Sequence, residues 1–296
     1  MTAAEAARLL AGRYGSQVHC VRRGGRDLAA AVAPWLEDRP VERTLRIEPG
    51  GSVPDAELLA AGRPLLERVK ARSPGLHDGA VVAFDRVEDG MLVCRRGRYL
   101  EMLATCDALR DELEHAKGAR LPSRELAERA AGDTPFRSGR GRVAALGVAV
   151  ACVLPDPPRV LLGRRRSDLA TDPGCWHVAP SGMLEPDSRP VLAAVERELQ
   201  EELGVRLTAR ELERRLEALG VGWDLTRLRP ELCLRLNLLA DEAERVELSE
   251  SEFELRREIE LSDEALAEIL SGDATALTPA AAATLALLGA SSRTAE

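Results

Sequence analysis

Residues 182–205 constrain the fold more than any other stretch, because a glycine turn there runs into a short helix with two opposed faces. Leu192, Val195, Leu199 and Leu203 recur at three- and four-residue spacing and form an apolar stripe that needs a sheet to cover it. Glu198, Glu201 and Glu202 fall together on the other side. Like charges at these spacings cost roughly 0.2–0.5 kcal/mol per pair on an exposed helix. Such a helix usually has something positive opposite it. Hard divalent cations such as Mg²⁺ take carboxylate oxygens, keep several waters, and leave positions that phosphates complete. Taken alone, the acidic stripe fits a solvated surface equally well. Ser188 is the candidate N-cap, Pro190 suits the first turn, and Gly204 suits a left-handed stop.

The rest of the composition narrows the function classes. A chain of 296 residues, 45% hydrophobic and 30% charged, folds as one large domain or two modest ones. A net charge of −8 argues against a nucleic-acid partner held by a basic surface. Lysine occurs only at positions 70 and 117, so the cationic side chains are almost all arginine. Six cysteines are scattered without a CxxC pair, and Cys175 and His177 do not make a zinc pattern. The longest apolar run, 143–154, is too short to span a bilayer. These features predict a cytoplasmic protein with reduced thiols, a small-molecule substrate and no membrane partner; a homodimer is left open.

Two regions separate at the Gly/Pro/Ser/Arg-rich stretch 132–142, read as a linker. Residues 1–131 form an α+β extension, with helices over 2–13, 56–72 and 99–117 and a hairpin turned at Asp89-Gly90. Residues 143–296 carry strands at 143–154, 159–164, 175–179, 216–222, 231–239 and 252–259. Helices follow at 263–270 and 280–288.

The sequence Arg197-Glu198-Leu199-Gln200-Glu201-Glu202-Leu203-Gly204-Val205 resembles the second half of the Nudix hydrolase signature without a gap. Trp176 to Gly182 is similar to the tryptophan–proline–glycine strand that feeds that box. The first half departs: Gly182 lies fifteen residues before Arg197, where the family has fourteen. The loop's first glutamate falls on Ser188 or Arg189 and is missing. The resemblance implies an α/β fold for 143–296, a Nudix-like α/β/α sandwich with a mixed sheet. It also implies hydrolysis of a nucleoside diphosphate linked to another moiety. Leu76-His77-Asp78-Gly79 and Tyr99 to Thr105 are similar to the extension of the UDP-glucose-hydrolysing branch. That similarity implies a UDP-sugar cut to UMP and sugar 1-phosphate.

By position in the motif, Glu198, Glu201 and Glu202, with the carbonyl of Gly182, would hold Mg²⁺, or Mn²⁺ as the alternative ion. Arg197 would orient a glutamate, and Glu185 is a candidate base. Glu250, Glu252 and Glu254 are candidates from outside the box. Among Arg164, Arg165 and Arg166, strand alternation lets only some face phosphates, and Arg164 and Arg166 share one face. Trp176 reads as a core anchor, and Trp223 as a residue lining the substrate pocket. The alternative reading is a Nudix domain, impaired by the altered loop, that binds a nucleotide without hydrolysing it.

Overall fold

Helix starts and hairpin turns are written locally in this chain, and a computed structural model shows how they assemble. It describes residues 1–23, 26–33, 41–169, 171–271 and 276–293. Helix α1 (Ala3–Tyr14) opens with a capping box in which Thr2 and Glu5 satisfy each other's backbone N–H groups. The hairpin β1 (His19–Arg23) and β2 (Arg26–Ala33) follows, then β3 (Leu45–Gly51). Helix α2 (Ala56–Arg72) is capped by Asp55, whose carboxylate accepts the Leu58 N–H.

The hairpin β4 (Ala80–Glu88) and β5 (Met91–Arg98) turns through Asp89 and Gly90 at φ 50° and 68°, as a two-residue hairpin of this twist requires. Beyond it the expected helix over 99–117 is interrupted. Helix α3 (Tyr99–Met102) passes into a π-helical turn at 103–107 and then α4 (Ala108–His115). Gly62 of α2 approaches that turn so closely that a Cβ on it would lie 1.9 Å from the Ala104 carbonyl oxygen. Helix α5 (Pro122–Ala130) ends this half.

The apolar run at 143–154 is broken by Leu146 into β6 (Ala144–Ala145) and β7 (Gly147–Leu154). Strands β8 (Arg159–Arg165), β9 (Trp176–Val178) and β10 (Ser181–Met183) lead to α6 (Pro190–Leu203). Helix α6 starts on Pro190 without a side-chain cap; the Ser188 hydroxyl bonds Asp187 instead. It stops at Gly204, which is left-handed at φ 67°. After α7 (Ala209–Arg215) come β11 (Leu216–Asp224), β12 (Arg229–Asn237), α8 (Ala240–Ala243) and β13 (Phe253–Glu260). Helices α9 (Asp263–Ser271) and α10 (Pro279–Arg293) close the described chain. A register shift between Phe253 and Leu255 breaks the alternation expected in β13 and turns Leu255 outward.

A nine-stranded mixed sheet runs β1-β2-β11-β12-β7-β8-β13, with β10 beside β7 and β9 beside β8. Strand β7 is buried along its whole length. Val148, Val150 and Cys152 pack with Leu192, Val195 and Leu199 of α6 on one face. Ala149, Ala151 and Val153 pack with Ala281, Ala282 and Leu285 of α10 on the other. Helices on both faces of a mixed sheet are the α/β/α sandwich that the signature implies.

The two halves do not divide by sheet. β2 pairs with β11, so β1 and β2 extend the large sheet, while β6 joins the small sheet β3-β5-β4-β6. The crossing stretch 132–142 carries five buried residues, with Phe136 and Arg142 the largest of them. Two buried arginines from this side hold the β11–β12 turn. Arg124 donates to the carbonyls of Leu225 (2.8 Å) and Thr226, and Arg142 to that of Leu228 (2.7 Å). No helix among the described residues is long and apolar enough to cross a membrane.

Candidate active site

A cleft of about 450 Å³ opens between β10 and the start of α6's polar face on one side and the β11–β12 turn on the other. Gly182, Glu198 and Glu202 line it together. Glu198 and Glu202 are one turn apart on α6, whereas Glu201 lies on the outer flank of the stripe, exposed and outside the cleft lining. Three glutamates were expected to converge; the helix brings two.

The Glu202 side chain is buried, and its Oε2 accepts the Ser181 N–H at 3.2 Å. Burial, then the nearby carboxylates of Glu198 and Glu252, push its pKa well up. Burial also raises Glu198, partly offset by Arg197. Arg197 donates to Glu198 Oε1 (2.9 Å) and to the Met183 carbonyl (3.2 Å), so it ties that carboxylate to the strand carrying Gly182. A Cβ on Gly182 would sit 2.0 Å from Glu198 Oε1; only glycine leaves room for the carboxylate there.

Other expected residues lie elsewhere. Glu185 stands on the loop, 68% exposed and 3.5 Å from Arg197. Arg164 donates to the Gly174 carbonyl and pairs with Glu254, and Arg166 pairs with Asp168; neither lines the cleft. Strand alternation sends the residue between them inward: Arg165 lines the cleft, 3.8 Å from Glu252, which also lines it. Trp223 is a correction of a different kind. It is fully buried and meets Phe84 and Phe136 edge to face at 5.4 and 5.1 Å, so it is core rather than pocket lining. Trp176 is half-buried beside the α10 cluster.

Several lining residues went unrecognised in the sequence. Asp224, Arg227, Arg229 and Glu231 form the floor at the β11–β12 turn. Arg227 bonds Asp224 and Asp107 and approaches Asp172 at 3.7 Å; Arg229 pairs with Glu231 at 2.9 Å. Burial alone would raise the Asp224 carboxyl, but Arg227 and the Thr226 hydroxyl bring it below its ordinary value. His177 is buried against Thr278 (2.6 Å), and burial holds its pKa down to about 3, so it is neutral. Tyr99, Met102 and Asp107 reach the cleft from the first half of the chain. The available signal was an Arg-x-Arg-x-Glu pattern entering an otherwise apolar strand.

Seven carboxylates and three guanidinium groups line the cleft, and the arginines are already paired. Among the described residues no three His, Cys, Asp or Glu side chains form a ready-made metal cage. Two carboxylates beside a backbone carbonyl nevertheless fit Mg²⁺. That ion binds through one or two carboxylates and takes the rest of its shell from water and phosphate. The uncompensated charge around buried Glu202 is what such an ion would neutralise.

The family model described as NUDIX domain matches residues 145–270. Among curated proteins none matches the chain. Solved structures with similarity include the MutT protein of Methanosarcina mazei, with 21% identity over 51% of this chain and 95% of that one at a TM-score of 0.38. The NUDIX domain of Shewanella oneidensis NrtR, complexed with ADP ribose, shows 16% identity over 52% and 90% at 0.35. A Caenorhabditis elegans (C. elegans) Ap4A hydrolase shows 19% over 51% and 98% at 0.31. With the signature helix, the sandwich and the matched stretch in agreement, residues 145–270 of the chain form a Nudix domain.

Proposed function

We propose that the protein is a Mg²⁺-dependent pyrophosphohydrolase acting on a nucleoside diphosphate linked to a second moiety. The observation that carries this reading is buried Glu202, crowded by Glu198 and Glu252 in a cleft where carboxylates outnumber guanidinium groups. A divalent ion held by Glu198 and Glu202 would supply neutralising charge for a diphosphate and a more acidic water for attack on phosphorus. The chain's own groups then have separable tasks. Ser181 N–H holds the Glu202 carboxylate, and Arg197 holds that of Glu198. Arg165 is the guanidinium placed to meet phosphate oxygens. Glu252, inside the cleft, is better placed than solvent-facing Glu185 to take a proton from attacking water. Glu201, on the rim, is left with a supporting role.

A UDP-sugar, cut to UMP and sugar 1-phosphate, is the first substrate to test. A cytoplasmic location is the accompanying expectation. Nucleoside diphosphate-linked compounds incubated with Mg²⁺ should release a nucleoside monophosphate, and chelation should stop it. Binding of a nucleotide with no turnover of any compound sinks the hydrolase reading and favours the non-hydrolysing one.

Gly182→Ala provides a sharper check of the geometry. The new methyl must displace the Glu198 carboxylate, and a shift near 1 Å at a reacting centre costs on the order of 10²-fold in rate. Since no side chain but Glu198 need move, the melting temperature should stay close to the parent's. Steady-state kinetics beside a thermal melt measure both, and an alanine variant of parental activity means Glu198 is not where catalysis needs it.

A further inference from the structure

One end of the cleft is unlike the other. At the Glu198–Glu202 end the surplus is negative charge. At the β11–β12 end each arginine is spoken for: Arg227 by Asp224, Asp107 and Asp172, and Arg229 by Glu231. A second phosphate has no free cation there. The unsatisfied groups at this end are polar ones. Asp107 Oδ2 and Arg229 Nε are buried without partners, one an acceptor and the other a donor.

The aromatic residues sort in the same way. Tyr14, Phe84, Phe136 and Trp223 contact one another in the core. Tyr99 stands apart from that cluster, half-buried in the cleft wall beside Met102 and Leu103. Sheet register sets the separation. Gly182 pairs with Val148 on β7, and Glu231 pairs with Gly147 from the far side of the same strand. The two backbones lie two strand spacings apart, roughly 10 Å, but the Glu231 side chain reaches back, since a Cβ on Gly147 would meet both Glu231 Oε2 (1.9 Å) and the Gly182 carbonyl oxygen (3.1 Å); Arg229, further along β12 and beside Met102, marks the far end. A diphosphate at the carboxylate end leaves the group it carries at this one.

We propose that Tyr99, Met102 and Asp107, all from the first half of the chain, form the subsite that reads the uncharged ring of the substrate. The ring's face lies on Tyr99 and Met102, and its hydrogen-bonding edge meets the underbonded Asp107–Arg229 wall. The ring is either the nucleobase or the sugar carried by the second phosphate. The pyrophosphate chemistry belongs to the Nudix domain, and the selectivity belongs to the segment before it. This rests on the pyrophosphohydrolase reading for the orientation of the ligand.

The test is equilibrium binding to the protein with both metal-site glutamates intact, with a methylene replacing the bridging oxygen of each diphosphate so that turnover does not interfere. The probes are ADP-, CDP-, GDP- and UDP-glucose, UDP-xylose, ADP-ribose and inorganic pyrophosphate, each with Mg²⁺. Tyr99→Ala should weaken the best-bound sugar nucleotide at least tenfold and leave pyrophosphate within twofold. Tyr99→Phe, which keeps the ring, should stay within threefold and shows that the site still folds. Asp107→Asn keeps an acceptor for Arg227 and should change the order of preference among the probes. In the active protein Tyr99→Ala should raise KM with kcat nearly unchanged. A loss that follows the base places the base on Tyr99, and one that follows the sugar places the sugar there; both support the subsite. Equal losses for pyrophosphate and sugar nucleotides, unchanged affinities throughout, or no binding of any probe overturn it. Tyr99-dependent binding in a parent that hydrolyses nothing keeps the subsite and discards the hydrolase reading.

Discussion

Glu202→Gln is expected to cut turnover steeply and, in the same protein, to raise the melting temperature measured without metal. Both follow from one placement. The carboxylate is buried, receives a single backbone N–H from Ser181, and lies near two further carboxylates. A carboxyl group so situated costs folding free energy until a cation arrives, whether it keeps a buried charge or takes up a proton to avoid one, whereas an amide of the same shape keeps the Ser181 bond at neither cost. Removing that cost should stabilise the metal-free fold by about 1–3 kcal/mol, a shift of a few degrees. Turnover should fall on the order of 10³-fold, equivalent to about 4 kcal/mol of transition-state stabilisation. Calorimetry with and without Mg²⁺ reads the structural half, since the parent should gain stability from the ion and the variant should gain far less. A glutamine variant that melts lower than the parent without metal, yet keeps the full Mg²⁺ shift, removes Glu202 from the cation site.

The signature helix was legible because its information is local. Apolar period, acidic stripe and Gly204 stop lie within one short segment, and the structure keeps each. The Asp89-Gly90 hairpin and helix α2 were legible for the same reason. What escaped depends on pairing across the chain. Strand β2 is rich in alanine, a weak strand former, and joins β11 nearly two hundred positions later, so no period marked it. The split at 132–142 looked like a linker because it is polar and glycine-rich. Arg142, the last of its three arginines, is buried, however, and bonds the carbonyls of Leu228, Pro135 and Ser138.

The same distinction explains the site. Sequence spacing put three glutamates on one face, but a stripe some 100° wide has an inner and an outer edge, and Glu201 fell on the outer. Alternation pairs Arg164 with Arg166 and sets Arg165 opposite them, but only the assembled sheet decides which of these faces meets the cleft. Trp223 was expected at a pocket because a charged stretch follows it. That stretch is itself interior, a set of ion pairs sealed between α4's preceding turn and the β11–β12 turn, so the tryptophan before it is deeper still.

Those ion pairs lead to the second large effect. Replacing Arg227 by Met should cost about 3–5 kcal/mol at neutral pH, since it strands Asp224 in the interior and leaves Asp107 and Asp172 facing each other without their shared cation. The penalty has a pH signature. In the parent, Asp224 titrates below its ordinary value, so its contribution is present above the unfolded carboxylate pKa of about 3.9 and fades only as pH falls through the lower folded value. Without Arg227, burial is opposed only by the Thr226 hydroxyl and Arg229, and the variant is expected to carry Asp224 above the unfolded value. Its contribution is then destabilising at neutral pH and vanishes on protonation. The gap between parent and variant should therefore be widest near pH 7 and narrow as pH drops below about 4. Adding Asp224→Asn to the methionine variant should recover part of the loss at neutral pH and little of it in acid. Chemical denaturation across that range measures the gap directly. A penalty that is constant with pH would mean that Arg227 serves the fold by filling space, and that the charge network beneath the cleft is incidental.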